Sequence, residues 1–144
     1  MPIPVFNPLQ NQQITSAMVN LTHSTADVGT GETTTSTSYT DLATSGPAIT
    51  LSPGVTQDHW ISFSAWLSRS ATASNSNMSI SVAGAAADTG GILRDDNDAV
   101  GQPHTAERSR LATTQASGAT HTTKYLTGAG TGQWQDRRVL GMAI

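Results

Sequence analysis

Residues 58–68 read DHWISFSAWLS, an unbroken period of two that a strand satisfies and a helix does not. Ile61, Phe63, Ala65 and Leu67 fall on one face, and Trp60, Ser62, Ser64 and Trp66 on the other. The apolar face must be buried under a second layer, and the composition says which kind. The chain has 22 Thr and 16 Ser but only two Glu and one Lys, so the residues that favour exposed helices are nearly absent. Threonine is β-branched and suits a half-wet pleated surface. The second layer is therefore expected to be another sheet.

Further segments carry the same signature. Residues 33–51, TTTSTSYTDLATSGPAITL, join a threonine-rich strand, closed by Tyr39, Asp41 and Leu42, to a Ser45, Gly46, Pro47 turn and a second strand at 48–51. This reads as a hairpin-like or sheet-crossing unit. In NMSISVAG, residues 77–84, Met78, Ile80 and Val82 point inward, leaving Ser79, Ser81 and Ala83 on an outer face small enough for close approach by another sheet or subunit. Later strands are predicted at 106–113, 121–127 and 133–142, with a glycine-rich hairpin turn, GAGTGQW, before the last. Residues 84–104 form a long irregular loop with a short strand at Ile92 and Leu93. The expected fold is an all-β antiparallel sandwich spanning residues 32–144.

Residues 1–31 read differently. Pro2, Pro4 and Pro8 alternate with Ile3, Val5, Phe6 and Leu9, which favours an extended arm carrying apolar side chains. Thr15 or Ser16 can cap a short helix through Ala17, Met18, Val19 and Leu21, too short to hold without packing. DVGTGE, residues 27–32, then reads as a linker. At 144 residues the chain fits one domain, and with hydrophobic residues at 36% it is expected to lean on partners for burial.

The segment SYTDLATSGPAITL at 38–51, taken with the chain end GQWQDRRVLGMAI, resembles a recurring β-sandwich domain of tailed-bacteriophage structural proteins, found in capsid decorations, minor tail proteins and tail-fibre tips. In that family the last strand carries an aromatic, Arg, Arg, aliphatic run, matched by Trp134, Arg137, Arg138, Val139 and Leu140. NQQITSAMVN, residues 11–20, resembles a helical element that often precedes such domains. The resemblance implies a jelly-roll sandwich, a homotrimer and a non-enzymatic virion protein assembled in the bacterial host cytoplasm. Its neighbours would be major capsid or tail subunits. Capsid decoration fits a short chain with an anchor and no shaft repeat; a minor tail or tail-fibre tip protein contacting a host receptor is the alternative. A carbohydrate-binding module is a further one.

Several functions have little to stand on. The net charge is -3, and the tight basic groupings are only Arg108 with Arg110 and Arg137 with Arg138, too few for counterion-driven nucleic-acid binding. Without cysteine there is neither a thiolate nor a disulfide. No run reaches the roughly 20 apolar residues of a membrane span, and MPIPVFNPLQ lacks a signal peptide's basic and apolar regions. No GxSxG elbow occurs, and no cofactor is expected. Asp95, Asp96, Asn97 and Asp98 offer oxygen ligands but not at calcium-loop spacing, so an Asx-rich turn is the better reading. His23, His59, His104 and His121 are scattered and read as surface or interface imidazoles.

That leaves interface candidates. Trp60 and Trp66, six apart in one strand, share the face opposite the core and mark a subunit or arm contact, or a platform for a host-surface glycan. Arg137 and Arg138 point to opposite faces of the last strand, where each can pair with Asp41, Asp58 or Asp136 or cross a subunit boundary. Pro2, Ile3, Pro4, Val5, Phe6, Pro8, Leu9 and Met18 complete the proposed anchor.

Overall fold

The computed structural model describes residues 22–71, 75–87, 92–94 and 101–144. Among these residues every regular element is a strand: β1 (His23–Val28), β2 (Glu32–Thr34), β3 (Ala48–Leu51), β4 (Gln57–Arg69), β5 (Ser76–Val82), β6 (Leu93–Arg94), β7 (His104–Gln115), β8 (Ala119–Thr127) and β9 (Gly132–Ala143). Strands β1, β9, β4 and β7 lie side by side in that order, with β2 also on β9, to make a five-stranded sheet. The four-stranded sheet has the order β3, β8, β5, β6. All pairings are antiparallel.

The core forms where the two inner faces meet. Ile61, Phe63, Ala65 and Leu67 of β4 are essentially fully buried, as their alternation predicts. They pack with Ile49, Met78, Ile80 and Tyr125 from the other sheet and with Trp134 and Val139 from β9. Each large apolar side chain removed from water contributes about 1.5–3 kcal/mol before the cost of ordering the chain. The Trp134 indole meets the Tyr125 ring edge-on, with centroids 5.4 Å apart, and so ties the sheets together.

The unit at 33–51 crosses between sheets. β2 pairs with β9 in one, Thr40 bridges to Tyr125, and β3 pairs with β8 in the other. GAGTGQW is likewise a crossing and not the hairpin turn its glycines suggest. β8 belongs with β3 and β5, while β9 enters the opposite sheet between β1 and β4. Between the two strands, Gly128 donates its N–H to Asn75 and Thr131 accepts one from Ser70, so the segment is held by the β4–β5 connection. β5 is also buried on both faces, as its small outer side chains allow. Asn77, Ser79 and Ser81 are covered within this chain, not left for another subunit.

β1 falls in the segment read as arm and linker, and it pairs with β9 from His23 opposite Met142 to Val28 opposite Arg137. Its Ala26 packs against the core, which is why the sheet takes it in. The proline-spaced residues Pro2, Ile3, Pro4, Val5, Phe6, Pro8 and Leu9, the short helix around Met18 and the acidic run at 95–98 lie outside the described residues.

An irregularity in β9 decides where its arginines point. Ser64 of β4 opposes Arg138 and Trp66 opposes Gln135, so two steps on β4 match three on β9. The extra residue is a β-bulge, and Asp136 adopts a positive φ of 48° there. The bulge keeps both Trp134 and Arg137 on the inner face although they are three residues apart.

Candidate functional site

The outer face of the five-stranded sheet carries the residues that sequence reasoning singled out, and its two ends differ in chemistry. Pairing sets Leu111 and Met142 beside Trp60, Ser109 and Leu140 beside Ser62, Glu107 and Arg138 beside Ser64, and Thr105 and Gln135 beside Trp66. Both tryptophans are half-buried and turned away from the core. They are six positions apart along the strand, about 20 Å. Around Trp60 the surroundings are apolar: Leu111 is 51% exposed, Leu140 and Met142 are half-buried, and Ile144, at 53% exposed, follows on the same face. The middle is polar. There Ser62 donates to Glu107 over 2.7 Å, and Arg138 pairs with Asp27 at 2.6 Å. Trp66 stands at the edge of a depression of about 570 Å³, whose other walls include Thr33, Ser68, Ser70, Thr131 and Gln133.

Arg137 and Arg138 do take opposite faces, but neither uses the partners proposed for it. Asp41 pairs with Lys124 at 2.8 Å, and Asp58 accepts the Thr114 N–H. Arg138 lies on the open surface with Asp27. Arg137 is no interface anchor: its side chain is wholly inside, 3.3 Å from the largely buried Glu32 carboxylate. Its terminal nitrogens donate to the carbonyls of Thr44 and Gly46 at 3.4 Å and of Thr30 at 3.5 Å, and its guanidinium lies 5.4 Å from the Tyr125 ring centre. Tyr125 donates its hydroxyl proton to Gly46, and burial raises its pKa, so the ring stays neutral. For Glu32, burial pulls the pKa upward, but hydrogen bonds from Thr44 and the Arg137 charge outweigh it and hold the carboxyl below its ordinary value. The cluster locks the crossing between β2 and β3 onto β9. Sequence alone offered one signal for it, a lone Glu32 at the start of a hydroxyl-rich strand.

The histidines divide. His23 is exposed, but His59 and His121 are fully buried, which corrects their reading as surface or interface imidazoles. They come from opposite sheets, and His59 Nδ1 lies 2.8 Å from His121 Nε2 with the rings edge-on at 88°. Burial lowers both pKa values, that of His121 to about 4 with the neighbouring His59 adding to the effect; at His59 the charge of Asp58 opposes it. One neutral imidazole therefore donates to the other. Among the described residues no three of His, Asp and Glu gather as a metal-binding group.

The sequence matches no protein-family model and no curated protein. Among solved structures, it is similar to the Eiger TNF of S. frugiperda at 8% identity and TM-score 0.49, covering 86% of this chain and 92% of that one. It is also similar to the EclA C-terminal domain, described as a sugar-binding protein, at 9% identity and TM-score 0.43 over 78% of each chain. A third likeness is to the infectious bursal disease virus Gx strain structure, at 12% identity and TM-score 0.42, covering 86% of this chain and 29% of that one. At these scores they carry no argument about this chain's residues; the tryptophan face, the buried arginine and the histidine pair stand on their own geometry.

Proposed function

We propose that this chain is a non-enzymatic structural protein of a bacteriophage virion, a capsid decoration protein that self-associates as a homotrimer and is anchored through its N-terminal residues. The trimer and the phage setting come from the resemblance of residues 38–51 and of the chain end. The jelly-roll part of the reading is supported by strand order. β1, β9, β4, β7 over β3, β8, β5, β6 is the order produced by two interlocked Greek keys, a fold used in viral capsids and lectins alike.

The observation that carries the assembly reading is the apolar end of the outer sheet face, with Trp60, Leu111, Leu140, Met142 and Ile144 together. Thr22 and His23 lie beside it, since Thr22 accepts the Ala143 N–H and His23 is opposite Met142. Fully extended, residues 1–21 reach about 70 Å, enough to cross to a neighbouring subunit. Apolar residues on both the arm and the patch gain about 25 cal/mol for each Å² they cover, less the cost of ordering the arm.

Sedimentation of the full chain tests this. The wild type is expected to associate at micromolar concentration. Leu111→Asp, which puts a charge on the exposed patch without touching the core, is expected to weaken association at least about tenfold while leaving the β-sheet circular dichroism intact. A wild type that stays monomeric, or a variant that associates equally well, contradicts the reading.

A further inference from the structure

We infer that the depression beside Trp66 is a saccharide-binding site for a hexopyranose. The inference is independent of the assembly reading, because it rests on the opposite end of the sheet face. Three features support it. Trp66, half-buried, lines a hollow of about 570 Å³, within the range of small-molecule sites. Among the described residues the rest of the wall combines hydroxyl and amide groups, from Thr33, Ser68, Ser70, Thr131 and Gln133, with Arg69 and Pro103, and it holds no carboxylate. Finally, parts of that wall are fixed in place. Ser68 Oγ donates to Gln133 Oε1 at 3.2 Å, which leaves the Gln133 amide N–H groups as the available donors. Ser70 Oγ accepts the Thr131 N–H at 2.8 Å and so has its own proton to offer.

A pyranose presents one apolar C–H face and a rim of hydroxyls that both donate and accept. An indole face beside positioned amide and hydroxyl groups complements both parts, and ordering costs little where the groups are already held. The same test rejects Trp60. It lies on the same face, but Leu111, Leu140 and Met142 around it offer no hydrogen bond to a sugar. The two tryptophans thus have separate roles: Trp60 meets protein, and Trp66 meets sugar.

The test is an NMR titration of the full ¹⁵N-labelled chain with the methyl glycosides of glucose, galactose, mannose and N-acetylglucosamine. At least one glycoside is expected to shift the Trp66 indole N–H saturably while those of Trp60 and Trp134 stay still. Trp66→Ala and, separately, Gln133→Ala are expected to weaken that binding by about tenfold or more. Gln133→Ala removes a surface amide and no core side chain, so it remains informative if Trp66→Ala fails to fold. No saturable shift with any glycoside, or binding unchanged in Gln133→Ala, overturns the inference. So does a Trp66 signal that follows protein concentration and ignores sugar, because the face would then belong to self-association.

Discussion

Arg137→Ala is expected to lower the free energy of unfolding by about 3–5 kcal/mol, a large fraction of the 5–15 kcal/mol that holds a typical domain together. Its side chain is completely buried, and removing it leaves the Glu32 charge without its counter-ion and takes the donor from the Thr30 and Thr44 carbonyls while opening a cavity beside Tyr125. Arg138→Ala, one residue away, is expected to leave the urea midpoint where it is. That arginine is solvent-exposed, as is its partner Asp27, and water takes over the interaction. The double variant Glu32→Gln, Arg137→Met should recover much of the loss, because a buried ion pair replaced as a unit leaves no lone charge. Urea unfolding of the four proteins gives the comparison. Equal midpoints for the two single alanine variants would show that the bulge at Asp136 does not turn Arg137 inward.

Acid is expected to destabilise this protein earlier than its carboxylates alone would. His121 keeps a native pKa near 4, against an ordinary value of 6.5, because burial and the adjacent His59 both disfavour its charged form. Above pH 6.5 it is neutral folded and unfolded alike, and its effect is absent. As pH falls below 6.5 the unfolded chain takes up a proton that the folded one refuses, so stability declines at about 1.4 kcal/mol per pH unit. By pH 4 the loss from this one residue is roughly 3 kcal/mol, and His59, lowered in the same direction, adds to it. Glu32 enters only lower down. Its native pKa lies below the ordinary 4.5, so its contribution holds above that value and is lost beneath it. Urea midpoints between pH 7.5 and 4.5 therefore isolate the histidines. His121→Gln should be less stable at pH 7.5 but lose distinctly less on acidification; an unchanged acid slope would remove the pair from the account.

Most strands were legible because their signal is local. The alternation in residues 58–68 names the inner face of β4 outright, and the last three strands lie within a few residues of where their patterns put them. The sites were less legible, for two physical reasons. His59 and His121 meet across the sandwich although 62 positions separate them, and nothing in either segment's own pattern reports on the other. Arg137 reads as a surface charge by residue type, and only the bulge sets its direction. Asp136 can leave the ordinary strand conformation there because β4 runs on unbroken past it. The glycines of GAGTGQW illustrate a third limit: they signal a turn, but which sheet the chain enters afterwards is settled by where Trp134 and Val139 find a core. The tryptophan pair was visible as one feature, whereas the residues beside each one, brought by β7 and β9, divide it into two.

The reading as a virion structural protein is tested most directly by locating the chain on particles. Virions purified from cells that carry this gene, probed with gold-conjugated antibody against the folded chain, are expected to label across the shell. Label confined to the tail would move the protein to a receptor-facing position. A chain that stays in the soluble fraction, with no label on any particle, would contradict the account.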